Sequence, residues 1–192
     1  MISHDHLSTQ LGTEVREFSP LPPELLSAVG TLRVTAWEAS MLQSTGMTEW
    51  LDRYDTNARH WVVLEKGQPI AAARLSVHET LDDLPDAESY SGLFPNPLPG
   101  PIASLNRLVV HPDARRQGWS RHLDLVRLAA AEKLGCRCAI LGTASGPHRV
   151  SQLVGWGFAL VGYGPRFCNP PLSLLPSPAV LLCHLPRPHG SA

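Results

Sequence analysis

An α/β domain, with a mixed sheet of about seven strands flanked by about four helices, is what this sequence predicts. Two apolar runs, His60 to Glu65 and Pro69 to Val77, flank Lys66-Gly67-Gln68 and read as a β-hairpin. Gly118 to Leu134 repeats apolar residues at helical spacing and stops at Gly135. A strand-like run, Arg137 to Leu141, follows at once. A helix that returns directly to a strand indicates a parallel crossover unit.

The remaining elements follow in chain order. Glu14 to Phe18 alternates as a short strand, and Ser19-Pro20-Leu21-Pro22-Pro23 breaks it. Leu25, Val29, Leu32, Ala36 and Trp37 give Glu24 to Gln43 a helical pattern, with Gly30 marking a break between two helices. Thr48 to Tyr54 reads as a further helical turn. Glu79 to Pro101 carries Pro85, Pro95, Pro97, Pro99 and Pro101, the composition of a lid or a disordered excursion. Ala103 to Val110 returns to strand. In the long helix, Trp119, Leu123, Val126, Ala130 and Leu134 are expected on the buried face. His148 to Gly155 is a short helix, and Phe158 to Tyr163 and Ala179 to His184 are the last strands, separated by a second proline-rich loop.

Composition narrows the class. A chain of 192 residues can bury one full core and is short for two, so residues 1–192 read as a single domain. Hydrophobic content of 43% with 17% charged residues fits a globular protein. A net charge of −1 argues against nucleic acid or an anionic membrane as partner. No apolar run approaches the roughly 20 residues of a membrane helix. The start, Met1 to His6, lacks the basic and apolar regions of a secretory signal, so the expected location is cytoplasmic. Cys136, Cys138, Cys168 and Cys183 lack metal-site spacing and are expected as buried thiols, with Cys136 and Cys138 on one face of the sheet. His4-Asp5-His6 reads as a tail, and no metal is expected. A monomer or a homodimer is compatible with all of this.

The segment from Leu108 to Ser120, LVVHPDARRQGWS, carries the chemistry. An apolar strand ends at His111-Pro112, a basic turn follows, and Gly118 opens the long helix. The first backbone N–H groups of a helix lack intrahelical acceptors and sit at the positive end of its dipole. Glycine lets a ligand approach that backbone, so phosphate or pyrophosphate is the natural guest. Arg115 and Arg116 add positive charge.

Arg115, Gly118 and Ser120, after a strand ending in a Val-x-Pro-like turn, resemble the acyl-coenzyme A signature of the GCN5-related N-acetyltransferases (GNAT), with Ser120 at a position usually Gly or Ala. The element order and the ending Leu153-Val-Gly-Trp-Gly-Phe158 resemble the same family, over a core of about 14–185. Arg33-Val-Thr-Ala-Trp37, Asp52-x-x-Asp55 and His60-Trp61 look like the pattern of ElaA-like acetyltransferases, and a related layout occurs in acyl-homoserine-lactone synthases. The resemblance implies acyl transfer from acetyl-CoA (or another acyl-CoA, or an acyl carrier) to an amine of a small molecule or amino-acid derivative, in a ternary complex without metal. A non-catalytic acyl-CoA-binding module is the alternative from another class. The resemblance also implies that Leu108, Val109 and Val110 hold the pantetheine arm and thioester carbonyl. Arg115, Arg116, Gln117, Gly118, Trp119 and Ser120 would hold the pyrophosphate.

Acid and base do not carry over from the family. Many members place a tyrosine five positions before the Phe of the Gly-Phe ending, which is Leu153 here, and others a glutamate near Leu141. Neither leucine transfers a proton. Ser104 and Asn106, sharing one face of the strand before the cofactor stretch, and His78 at the end of the preceding strand are the substitute candidates. Asp52, Asp55 and His60 either shape the acceptor pocket or pin the helix to the sheet, with pinning the expected role, and Arg74 and Arg107 either pair with these acids or hold an acceptor carboxylate. His111 is expected to order its turn.

Overall fold

The hairpin organises the sheet. Strands β3 (Arg59–Glu65) and β4 (Gln68–His78) pair antiparallel around Lys66 and Gly67, whose φ values are 50° and 79°. Two positive φ angles in a two-residue loop match the right-handed twist of the flanking strands. The computed structural model describes residues 13–39, 42–44, 46–90, 92–166, 168–169, 172–174 and 177–186, with the backbone alone at 42–44, 168–169 and 172–174. The His4-Asp5-His6 segment and the side chain of Cys168 lie outside the described residues.

Around the hairpin stand β1 (Thr13–Phe18), β5 (Ile102–Val110), β6 (Cys138–Thr143), β7 (Ala159–Tyr163) and β10 (Ala179–His184), giving a seven-stranded sheet of order β1-β3-β4-β5-β6-β10-β7. Three short strands, β2 (Leu42–Ser44), β8 (Cys168–Asn169) and β9 (Leu172–Leu174), form a second sheet. The helices are α1 (Pro23–Glu38), α2 (Trp119–Lys133) and α3 (Pro147–Gly155). β5 and β6 are parallel, as the crossover through α2 requires. Among the described residues there are three α-helices rather than about four, and 3-10 turns at Arg53–Thr56, Ala87–Tyr90 and Pro112–Ala114 occupy the remaining connections. Among the described residues no helix is long and apolar enough to cross a membrane.

Each face of the sheet buries its own core. Against α2 and α3 lie Leu75, Leu105, Leu141 and Leu181, packed with Leu123, Leu128 and Leu153. On the opposite face α1 covers β3 and β4 through Val29, Leu32, Val62 and Leu64. Beside α1, the proline-rich stretch covers β5, β6 and β10, with Leu84 and Tyr90 packed on Ile102, Ile140 and Val180. The stretch read as a lid or disordered excursion is therefore a wall of the core. Its prolines halt regular structure, but its apolar side chains still find a sheet face that no helix covers.

Four other expectations change. Gly30 sits inside α1 and does not break it; a Cβ there would meet Leu51 Cδ2 at 2.9 Å, and the Gly30 carbonyl accepts from Trp50 N at 3.1 Å. The residue serves close approach of the 49–51 segment rather than a bend. The first helix ends at Glu38, because Leu42–Ser44 pairs with β9. Helical geometry in the next segment starts after Asp52, which caps Arg53–Thr56 in a reciprocal capping box with Asp55, and not at Thr48. The buried face of α2 is Trp119, Leu123, Asp124, Arg127, Leu128 and Ala131, with Val126 and Ala130 partly buried beside it, while Leu134 is exposed; the Asp124–Arg127 pair occupies part of the expected apolar stripe.

Cys136 and Cys138 face opposite cores rather than one side. Cys136 precedes β6, so the two-residue alternation of a strand does not yet apply to it.

The α1 face is also tied to the sheet by charge. Arg33 Nη1 and Nη2 donate to Asp55 Oδ2 and Oδ1 at 2.9 and 2.8 Å, and Arg74 Nη1 lies 2.8 Å from Asp55 Oδ1. His60 Nε2 sits 3.1 Å from the Asp55 carbonyl. All four side chains are at most 2% exposed. This is the pinning arrangement expected from Asp55 and His60. Burial, with Arg33 and Arg74 nearby, pushes the His60 imidazole down to about 4, against a partial upward pull from the Asp55 carbonyl. Burial opposes ionisation of Asp55, but Arg33 outweighs it and holds the carboxyl below the usual range.

Two outcomes follow. Leu84→Ala should lower unfolding free energy by about 2–4 kcal/mol in urea titration, as for any large-to-small core change; a loss below about 0.5 kcal/mol would show that the proline-rich stretch is not core. A histidine titrating near 4 when folded and at 6.5 when unfolded binds fewer protons in the native state between those values. Its contribution is complete above pH 6.5 and is lost as pH falls towards 4. His60→Gln should abolish that component in urea midpoints measured from pH 7 to 4, while the further fall from Asp55 at lower pH remains.

Candidate functional site

Pairing between β4 and β5 slips at one point. Ala72 faces Val109 and Arg74 faces Asn106, so Arg107 and Leu108 together oppose the single residue Ala73. Arg107 takes φ 52°, a left-handed value that a non-glycine residue adopts only under constraint. The extra residue switches the strand's faces. Before it, Ala103 and Leu105 point to the α2 core; after it, Leu108 and Val110 do.

On the other side, β5 pairs with β6 only from Ile102 to Ser104. Beyond Ser104 the two parallel strands part. The opening is a cavity of about 120 Å³, with Leu105, Asn106, Leu108, Leu141, Tyr90 and Arg149 in its wall. It runs into a groove of about 940 Å³, since Trp37, Leu108, Ser145 and Arg149 line both.

The groove has the charge and backbone geometry that favour an anion. Gly118, φ 86°, is the N-cap of α2 and no side chain caps the helix. Arg116 is also left-handed, φ 65°, so the turn presents its backbone in a tight concave path. A Cβ on Gly118 would meet nothing within 4 Å, which leaves the helix start open. Arg115, Arg116, Arg121 and Arg149 line the groove, and no carboxylate does among the described residues. Leu108, Val109, Val110, Gly118, Trp119 and Ser120 share the wall; Gln117 does not, and its Oε1 instead accepts from the Trp119 indole at 3.1 Å. Arg115 Nη2 donates to the Ala36 carbonyl at 2.7 Å, tying this turn to the end of α1. His111 Nδ1 accepts from Asp113 N, which orders the turn as expected.

The strained Arg107 is held by ion pairs. Its guanidinium donates to Asp52 Oδ2 at 2.9 Å and to Asp86 Oδ2 at 2.7 Å, and lies 4.7 Å from the Trp50 ring. Burial works against its charge, but Asp86 and Asp52 raise its pKa above the ordinary value. Asp52 accepts in turn from Arg74 Nη1 at 2.6 Å, and Arg74 Nε donates to Asn106 Oδ1 at 2.6 Å.

Of the three proton-transfer candidates, Asn106 alone lines the cavity. Asn106 Nδ2 donates to Ser104 Oγ at 2.9 Å, and Ser104 is fully buried. His78 pairs with Ile102 at the far end of β4, 2.8 Å from Ser76 Oγ. Burial lowers its pKa, so it is neutral near pH 7. Leu153 is buried in the α2–α3 core, and Leu141 gives the cavity an apolar wall. Sequence reading missed Tyr90, Arg127, Arg149 and Asp86 as cavity residues. The first and last belong to the proline-rich stretch; an arginine in the apolar stripe of α2 was the available signal for Arg127.

Comparison with known proteins agrees with this geometry. Residues 25–152 match the Acetyltransferase (GNAT) family. No curated protein sequence matches the chain. Among solved structures, the fold is similar to FeeM, an N-acyl amino acid synthase from uncultured soil microbes (TM-score 0.65, 11% identity, 91% of this chain and 93% of that one). It is similar to the AHL synthase LasI (0.63, 13% identity, 88% of each) and to Escherichia coli ElaA (0.62, 16%, 90% and 99%). At these identities the likeness speaks for the fold. The family match spans two-thirds of the chain and takes in α1, the bulged β5 and the whole of α2, so the chain belongs to the GNAT family of acetyltransferase enzymes.

Proposed function

We propose that the protein transfers an acetyl or other short acyl group from acyl-CoA to the amine of a small molecule, within a ternary complex. The observation that carries this reading is the continuity of two unlike spaces. An uncapped, arginine-lined helix start suited to pyrophosphate opens into the gap between β5 and β6, where β5 backbone lacks a β6 partner. The phosphates of CoA fit the first. In the second, backbone N–H groups of Leu108 to Val110 are the donors for a thioester carbonyl as it gains charge. Holding amine and thioester in contact supplies several kcal/mol of the barrier without any proton-transfer group.

A longer acyl donor is the second reading, supported by neighbours named as an N-acyl amino acid synthase and an AHL synthase. The confined space beside Asn106, about 120 Å³, favours the first. In place of the family's tyrosine and glutamate, Asn106 and the buried phenol of Tyr90 supply polar atoms at the cavity. Burial raises the Tyr90 pKa, so it is a neutral donor and never the base at physiological pH.

Gly118→Glu should weaken acetyl-CoA binding at least tenfold, about 1.4 kcal/mol or more, by placing a carboxylate where phosphate sits. Unchanged calorimetric affinity in a folded variant would remove the site. Alanine at Asn106 should lower turnover most, at its buried partner Ser104 less, and at His78, away from the cavity, least, with CoA affinity nearly constant. One variant losing more than about 10⁴-fold together with a limb of the pH–rate profile would establish a single dominant base and overturn the distributed account. Bound CoA with no acyl transfer to any amine in a broad panel would favour a binding module.

A further inference from the structure

Two arginines in the wall of the cavity, Arg127 and Arg149, meet a single carboxylate, Asp124, behind it. Asp124 and Arg127 on α2 are each 1% exposed, and Arg149 in the first turn of α3 is 13% exposed. Arg127 Nη2 donates to Asp124 Oδ1 at 2.6 Å, and its remaining donors serve the carbonyls of Leu123, Arg74 and Asn106. Arg149 Nη2 lies 2.6 Å from Asp124 Oδ2, yet Oδ2 accepts no aligned hydrogen bond. Arg149 Nη1 is buried with no acceptor among the described residues.

Two guanidiniums therefore share one carboxylate. Arginine does not shed its proton, so the trio keeps a net charge of +1. The other buried cluster differs: Arg33, Arg74 and Arg107 are matched by Asp52, Asp55 and Asp86, and it is neutral. Trp156, 5.7 Å from Arg149, offers a ring quadrupole but no counter-charge. An uncompensated charge withdrawn from water is unfavourable unless an anion joins it.

Arg149 is placed where such an anion would come from. It lines the cavity and the groove together, and Thr143 and Ser145 bring hydroxyls to the same wall. We propose that the cavity receives a carboxylate-bearing substrate and that Arg149, steadied by Asp124, is the residue that binds the carboxylate. This deepens the acyl-transfer reading and rests on it. The carboxylate belongs either to the acceptor, an amino acid, or to the acyl group, the monothioester of a dicarboxylic acid.

Calorimetric titration of the full chain separates the two sources. One arm compares N-acetyl amino acids with their neutral amides; the other compares succinyl-CoA with acetyl-CoA. In one arm the charged ligand should bind at least tenfold tighter than its neutral counterpart. That gap should fall below about threefold in Arg149→Met and be partly retained in Arg149→Lys. Should the methionine variant fail to fold, Arg149→Gln carries the comparison. A gap in the first arm assigns the carboxylate to the acceptor, and in the second to the acyl group. Equal affinities in both arms, or a gap that persists without the guanidinium, overturn the proposal. The first arm uses no CoA, so loss of binding to both thioesters would sink the acyl-CoA reading while the carboxylate site is still decided.

Discussion

The backbone at Arg107 is the constraint on which the site depends. A left-handed conformation in a non-glycine residue costs on the order of 1–3 kcal/mol and persists only where surroundings over-determine it. Here Asp52 and Asp86 clamp the guanidinium, Trp50 lies under it, and Asp52 is itself clamped by Arg74. Arg74 then reaches Asp55, which Arg33 anchors to α1. The chain of alternating charges runs from the first helix to the fifth strand. Removing one member would strand a buried charge, which is why such pairs are costly to break even where their net stabilisation is modest.

From that bulge the rest of the site follows by geometry. The extra residue turns Leu108 and Val110 to the face that Ala103 and Leu105 occupied earlier. It coincides with the loss of pairing between β5 and β6 after Ser104. Arg127 compensates part of that loss, since its Nη1 donates to the carbonyls of Arg74 and Asn106. A buried arginine in the middle of α2 thus does for the sheet what a neighbouring strand would otherwise do. The same helix begins at Gly118, so one element supports the parted strands at its middle and leaves uncapped backbone N–H groups at its start.

The proline-rich stretch completes the arrangement from the opposite face. Leu84 and Tyr90 seal the core over β5, β6 and β10, and that packing delivers Asp86 to Arg107 and the Tyr90 phenol to the cavity. Apolar burial and the polar site are therefore coupled: the residues that shield the sheet also carry the groups that hold its irregular strand. A segment with that double task is ordered despite five prolines between residues 79 and 101.

Local pattern by itself determined the hairpin at Lys66-Gly67, the β5–α2–β6 crossover, and α2 with a basic turn before it and a glycine at each end. These are short-range features, set by turn chemistry, periodicity and helix termini within about 20 residues. Resemblance to the ElaA-like pattern singled out Asp52, Asp55 and His60, and pairing with Arg74 and Arg107 was one of two roles open to those arginines. Tertiary structure decided the rest. Whether residues 79–101 were lid or wall depended on a sheet face left bare by α1. The buried face of α2 depended on Arg127 finding carbonyls two strands away. The separation of Ser104, Asn106 and His78 into a buried bond, a cavity residue and a distant strand end depended on where β5 leaves β6. No local pattern encodes that point, because strand parting is a property of two chain segments more than 30 residues apart.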